Sequence, residues 1–358
     1  MRILHAIHTP RFSGAEMLVA ALAKKHTISG NPSAVVSFNP AEKDFLPVIE
    51  EQLISGVEWY SPLLVLKGWR RSCFYRKTIN SFKPDVIFSH SVIPSAYARV
   101  VAGRSVIPIL HSEKNYEGGL LKKSELILQY FSAGVISVSD LAKDEYSKNF
   151  GYPETVTIKN GVDLNEVRGK VSDRENIRAS MNIENDAIVI LQVGRLDRIK
   201  QQHLSLHALA PLLRSNPKYK FFLVGLIEDL SYLEELNSFI NFNGLHHQVS
   251  LLGPRKDIAE ILAAADVFLM PSAREAHSIA MLEALASGLP IVASSIPSFQ
   301  YAKTHAGVQL VNPLELATFT AAIASAASNM VRHPRSLVGF DIQDTARAYL
   351  QFAKKCTS

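Results

Sequence analysis

Cysteine is nearly absent from this chain. Two residues in 358, Cys73 and Cys356, cannot build a disulfide framework and stand in no metal-ligand spacing. That scarcity suits a reducing compartment, and the cytoplasm is the expected location. Long apolar runs are also missing: the stretch at 3–7 is interrupted by His5 and followed by His8, too short for a secretory leader. No other run approaches the roughly 20 residues of a spanning helix, so no segment is expected to cross a membrane. Low-complexity tracts and repeat periods are lacking, which excludes solenoids and disordered tails. Charge of one sign is in small excess only. The net +5 comes mostly from residues 1–165, with 19 basic against 15 acidic side chains, while 166–358 hold 19 against 18. Such a lean is too mild for nucleic acid to be an expected partner.

What remains is an ordinary globular composition, 47% apolar and 20% charged, on a chain well beyond the usual size of one domain. Two domains are therefore expected. Short runs rich in Val, Ile and Phe alternate with helical patterns almost throughout, as in parallel strands joined by crossover helices. Strands are expected at 3–7, 34–38, 57–60, 85–89, 106–110, 135–138 and 155–158, then at 187–193, 221–224, 249–252, 267–270, 290–292 and 308–311. The charged segment 164–178 reads as an interdomain linker. The expected division is 1–165, 166–335 and a last helical piece at 336–358 that returns to the first domain.

Ligands of open parallel sheets gather past the carboxyl ends of strands, so the loops there hold the candidates. After the first strand, Ser13 and Gly14 lead into a helix whose free N–H groups form an anion site; Ser13 with Glu16 also spells a capping box, and the two readings compete. After the strand ending at Val193, Arg195 and Lys200 flank a loop that enters a helix. A lysine at a helix N-terminus opposes the macrodipole, at roughly 0.3–1 kcal/mol, unless an anion shares the site. Arginine offers a fork and lysine a point charge, which together suit a diphosphate. A solvated turn with an Asp197–Arg198 pair is the plainer alternative.

The stretch EAHSIAMLE at 275–283 carries two carboxylates past the strand at 267–270 and before the stop at Gly288. On a wheel, Ile279, Leu282, Leu285, Ala286 and Leu289 form a stripe and Glu283 falls at its margin, where a carboxylate needs a partner or a cleft. On one continuous helix Glu275 and Glu283 would lie about 12 Å apart along the axis, near the span from a hexose through a diphosphate to a ribose. Taken singly, each glutamate is as well explained by the helix dipole or an ion pair.

The set is more specific than its members. SGAE at 13–16, PDVIFSH at 84–90, His111 at a strand end, VISVS at 135–139, IKNGVD at 158–163, VGRLDRIK at 193–200 and PSAREAHSIAMLEALASGLPIVAS at 271–294 follow one another in order. Together they resemble the retaining nucleotide-sugar glycosyltransferases of family four. That resemblance implies an α/β chain of the GT-B fold, two Rossmann-like parallel-sheet domains facing across a deep cleft, with acceptor binding in the first and the nucleotide sugar in the second. It places Gly14 under the donor diphosphate, Arg195 and Lys200 against its charge, Glu275 on hydroxyls of the transferred sugar and Glu283 on the ribose. Backbone N–H groups of Ser278 and Ile279 would add to the anion site, His111 would stand beside the sugar, and Arg255 near the base or outer phosphate. Ser13, Gln201 and Ala276 depart from the family, which usually has glycine at each of these places.

The activity so implied is transfer of a sugar from a nucleoside diphosphate to a glycan or lipid-linked acceptor in surface polysaccharide synthesis, with retention, no resident cofactor and no obligatory metal. A sugar-nucleotide epimerase or a non-catalytic sugar-nucleotide-binding subunit of the same fold is the alternative. The segment LKGWRRSCFYRK at 66–77 groups Lys67, Arg70, Arg71 and Lys77 with Phe74 on one helical side, which suits anionic lipid headgroups and a peripheral position on the cytoplasmic membrane face. A solvated helix face is the simpler account.

Overall fold

The computed structural model describes residues 1–112, 116 and 119–357. The chain divides into two compact units, Met1–Gly161 with Gly339–Ser358, and Val162–Val338.

In the first unit the strands are β1 (Ile3–Ile7), β2 (Ser33–Ser37), β3 (Glu58–Tyr60), β4 (Val86–Ser89), β5 (Val106–Leu110), β6 (Val135–Ser137) and β7 (Thr155–Thr157). Helices α1 (Gly14–Ile28), α2 (Leu46–Ile54), α3 (Trp69–Phe82), α4 (Val92–Ala102), α5 (Gly119–Leu128) and α6 (Asp140–Asn149) lie between them. The strands pair in parallel in the order β3-β2-β1-β4-β5-β6-β7, with Ile3 of β1 opposite Ser33 on one side and Val86 on the other. Helices cover both faces of such a sheet, so β1, β2, β4 and β5 are buried along their whole length and read as unbroken apolar runs rather than as alternation. Order reverses between β1 and β4, and the loops after β1, β4 and β5 carry Gly14, His90 and His111.

The second unit opens with α7 (Leu164–Val171) and α8 (Arg174–Ser180), then alternates β8 (Ile188–Val193), α9 (Gln202–Ser215), β9 (Tyr219–Val224), α10 (Leu230–Phe242), β10 (Val249–Gly253), α11 (Ile258–Ala264), β11 (Val267–Met270), α12 (Ile279–Ser287), β12 (Ile291–Ser294), β13 (Val308–Val311) and α13 (Leu316–Ser328). Its parallel order is β10-β9-β8-β11-β12-β13. Leu206, Leu209 and Leu213, spaced three and four apart on α9, bury against Phe221 and Leu223 of β9 and Leu236 of α10.

The expected linker at 164–178 is not one. Its charge misled because the arginines serve backbone rather than solvent. The Arg174 guanidinium donates to the carbonyls of Ala263 and Ala265 and to Asp266, and Arg178 donates to the carbonyls of Ala264, Glu184 and Ala187. Arg332 adds bonds to Leu262, Ala263 and Ala265. The carbonyls at the C-terminus of α11, which no intrahelical N–H can reach, are thus satisfied by three cations that also complement the helix dipole.

The last helix, α14 (Ile342–Thr357), belongs to the first unit and packs on α1, burying Ile342, Ala346, Tyr349 and Ala353. Close approach there requires Gly161, since a Cβ at that position would stand 2.5 Å from the Asp341 carbonyl oxygen.

Candidate functional site

The second unit's sheet reverses order between β8 and β11. Loops leaving these two neighbours diverge to opposite faces and open a crevice at the carboxyl edge. Lys200 leaves from β8 and Glu275 from β11, and their side chains form an ion pair, with side-chain exposures of 15% and 11%. The two loops are also tied through backbone, Ala273 N–H donating to the Ile199 carbonyl at 2.8 Å. Sequence reasoning missed Asp197, which organises the same loop. One carboxylate oxygen accepts from the Lys200 backbone N–H at 3.0 Å and the other lies 3.2 Å from the Arg195 guanidinium. An Asp three residues before a helix-entering lysine is the available signal for such a turn. Arg195 also lies 3.5 Å from Glu228, so its fork is held between two carboxylates and is over one-third exposed. Arg198 turns away to Glu235 at 2.7 Å and over the Tyr232 ring, so the Asp197–Arg198 pair is not formed.

Gln201, where the family resemblance implies glycine, has a backbone φ of +51°, the left-handed region that favours glycine. A side chain there costs roughly 1 kcal/mol. Gln201→Gly is therefore expected to raise stability by about 0.5–1 kcal/mol, as a shift of the urea midpoint with unchanged m. A lower midpoint would contradict it.

Glu275 and Glu283 do not share a helix. α12 begins at Ile279, with Ser278 as its N-cap, its hydroxyl accepting from Met281 N–H at 3.3 Å, so Glu275 stays in the loop. The loop is set by the ion pair with Lys200, and the helix starts where a serine can cap it. Glu283 is on α12 and keeps a partly exposed edge, but its carboxyl lies deep among protein atoms. Burial, with the Glu166 carboxylate as a lesser cause, pushes its pKa up to about 8. A raised acid pKa means that the folded chain holds a proton that the unfolded chain releases, so wild-type stability falls as pH rises from about 4.5 through about 8. Glu283→Gln lacks this loss. Its stability relative to wild type should increase between pH 5 and pH 8 by on the order of 2 kcal/mol in denaturant titrations, and a flat difference would refute the assignment.

Arg255 follows β10 and is bound by its near neighbour Asp257, its Nε donating to Oδ1 at 2.8 Å. The pair is surface-exposed on the arginine side and can exchange partners at low cost.

In the first unit, Gly14 is exposed at the start of α1. The Ser13 hydroxyl donates to the Glu16 carboxylate, and the Ser13 side chain caps no N–H of the helix, so the reciprocal capping box is not made. His111 follows β5, its Nε2 lying 3.2 Å from Nδ1 of His90, and burial lowers its pKa to about 4. A cavity of about 280 Å³ in this unit is lined by Arg71, Val92, Tyr97, Tyr116, Leu121 and Glu125. Glu125 is fully buried and paired with buried Arg99 at 2.7 Å. Of the expected lipid-facing group, Arg71 and Phe74 are turned inward. Arg71 donates to the Leu66 carbonyl and lies over Phe38 and Tyr97, and Phe74 packs on the core around Tyr75 and Phe82. Lys67, Arg70 and Lys77 are exposed, beside Leu63, Leu64 and Trp69 at 95%, 77% and 73% exposure. Among the described residues no helix is long and apolar enough to cross a membrane, and no group of three or more His, Cys, Asp or Glu is placed to hold a metal ion.

Two parallel-sheet α/β units, each with its candidate residues at the carboxyl edge, define the GT-B class of glycosyltransferases. Comparisons agree. The family described as Glycosyltransferase Family 4 matches residues 12–166, and that described as Glycosyl transferases group 1 matches residues 173–331. The chain belongs to the family-four glycosyltransferases. It is 26% identical over 379 aligned positions to EpsF of Bacillus subtilis (strain 168), a protein named provisionally as a glycosyltransferase, covering 98% of this chain and 95% of that one. It is 28% identical over 238 positions to the UDP-Gal:alpha-D-GlcNAc-diphosphoundecaprenol alpha-1,3-galactosyltransferase of Escherichia coli, covering 62% of this chain and 60% of that enzyme's length. The structure of Anabaena HepE in complex with UDP and glucose superposes over 99% of this chain and 100% of that one, with a TM-score of 0.79 at 21% identity.

Proposed function

We propose that this protein transfers a sugar from a nucleoside diphosphate donor to a glycan or lipid-linked acceptor, with retention at the anomeric carbon and without an obligatory metal. The observation that carries this reading is the Lys200–Glu275 ion pair at the switch point of the second sheet, in a loop that Asp197 also ties to Arg195. A diphosphate leaving group needs positive charge that increases its hold as the bond breaks. Lys200 and Arg195 supply that charge, the N–H groups of Ser278 and Ile279 extend it, and Arg255 can leave Asp257 for the outer phosphate or base. Release of Lys200 to the diphosphate leaves the Glu275 carboxylate to accept sugar hydroxyls. Glu283 takes the ribose diol. No enzyme nucleophile is invoked; the β-phosphate oxygen accepts the acceptor's proton.

The relative named as a diphosphoundecaprenol-linked galactosyltransferase supports a lipid-linked acceptor, as does the first unit's cavity, where apolar walls meet Arg71. In this reading the protein is cytoplasmic and rests on the membrane through Lys67, Arg70 and Lys77 with Leu63, Leu64 and Trp69. Co-sedimentation with phosphatidylglycerol vesicles and its absence with phosphatidylcholine are expected; no sedimentation with either would remove the membrane contact.

The donor reading is tested by calorimetric titration with UDP, GDP and ADP. One should bind the wild type with micromolar affinity, and binding of none would overturn the assignment.

A further inference from the structure

Four histidines, remote in sequence, form one hydrogen-bonded row inside the first unit. His26 of α1 places Nε2 3.0 Å from the Ala346 carbonyl oxygen of α14 and Nδ1 3.3 Å from His5 Nε2. His5 of β1 places Nδ1 3.0 Å from His90 Nε2, and His90, just past β4, places Nδ1 3.2 Å from His111 Nε2. Successive ring planes differ by 14°, 29° and 28°, so lone pairs and N–H bonds point close to one another's planes. His5 and His26 are fully buried and His90 is nearly so. The rings run head to tail instead of converging, and no metal-holding group is present among the described residues.

The row has a direction, and one atom sets it. A carbonyl oxygen only accepts, so His26 must donate from Nε2, which leaves its Nδ1 as an acceptor if the ring is neutral. Burial holds all four rings below the ordinary histidine range, most strongly His5 and His90, so the neutral forms apply at physiological pH. His26 Nδ1 then requires a proton on His5 Nε2, His5 Nδ1 requires one on His90 Nε2, and His90 Nδ1 requires one on His111 Nε2. Any other arrangement leaves two lone pairs or two protons face to face in a buried site. The row cannot conduct protons onward, because it ends on a carbonyl that takes none.

We propose that His26, His5 and His90, anchored on the Ala346 carbonyl, are positioning residues that lock His111 in the Nε2–H tautomer, so that its Nδ1 offers only a lone pair and takes a hydroxyl donor of a bound sugar. The sugar contact rests on the transferase reading above; the tautomer lock does not. This assigns α14 a part in the site of its own unit, since a backbone carbonyl of that helix sets the proton position on a ring past β5. It also predicts a selectivity. A site that offers only an acceptor binds a hydroxyl and repels a fluorine or carbonyl oxygen at the same place.

The deciding experiment is long-range 1H–15N correlation of histidine-labelled wild type at pH 7, which separates protonated from bare ring nitrogens. All four rings are expected as Nε2–H neutral tautomers. A Nδ1–H or doubly protonated His111 overturns the proposal, whether or not any nucleotide binds. The companion variants are His90→Gln, whose amide keeps one donor and one acceptor, and His90→Phe, which keeps neither. His90→Phe should lower kcat for the donor at least tenfold with little change in nucleoside diphosphate affinity, and His90→Gln should recover most of that loss. Equal kcat in wild type and His90→Phe contradicts the positioning role. Where His90→Phe does not fold, the wild-type tautomer alone decides.

Discussion

Lys200→Ala is expected to lower kcat/KM for the donor by on the order of a thousandfold, or about 4 kcal/mol of transition-state stabilisation. The magnitude follows from the enclosure of the site. Lys200 and Glu275 are among the least exposed charged side chains near the carboxyl edge of this sheet, at 15% and 11%, so their charges act with little solvent screening. Removing the ammonium also strands the Glu275 carboxylate, which then faces the incoming diphosphate with no countercharge. The double variant with Glu275→Gln should therefore bind nucleoside diphosphate better than Lys200→Ala alone, though it stays slow. Steady-state kinetics with calorimetry separates these effects, and a single variant within tenfold of wild type would contradict the assigned role.

Gly225→Ala is expected to damage the same site from behind. Gly225 follows β9 with φ of +154°, and a Cβ there would stand 2.0 Å from the Gly194 carbonyl oxygen and 3.1 Å from Arg195 N. Those atoms are backbone, so no side chain can swing away. β8 and β9 are in parallel register through Val193 and Val224, and Gly194 N–H donates to the Val224 carbonyl at 2.8 Å just before the clash. Relief requires the strand ends to part where Arg195 begins. A loss of roughly 3 kcal/mol or more in unfolding free energy follows, together with loss of nucleotide binding. Unchanged stability would show that the two loops are not packed as described.

Much of the fold was legible because a doubly covered parallel sheet buries its strands on both faces. Thirteen apolar runs stand where thirteen strands lie among the described residues, and β1, β5, β11 and β13 coincide with the expected limits. Errors arose where residues serve long-range partners. Arg174 and Arg178 made a structured pair of helices look like a linker, because nothing local reveals that their guanidinium groups reach the end of α11. Arg71 and Phe74 looked surface-facing by wheel position, yet the apolar neighbours Phe38 and Tyr97 turn Arg71 inward. Within the site, the charged residues could be named from motif and strand end, while Asp197 was passed over as a surface charge. The histidine row was invisible for a simpler reason: its members are 21, 85 and 21 residues apart, and only the folding of α1, β1, β4 and β5 together makes them neighbours.

The central claim is that the Lys200–Glu275 crevice binds a nucleoside diphosphate sugar and releases the sugar with retention. Purified protein should be incubated with a panel of UDP-, GDP- and ADP-sugars without acceptor, and the slow hydrolysis followed by 1H NMR from its first minutes. One donor should be hydrolysed, the first free sugar should carry the donor's own anomeric configuration, and Lys200→Ala should suppress the reaction. Release of the opposite anomer, or hydrolysis that Lys200→Ala leaves undiminished, would contradict it.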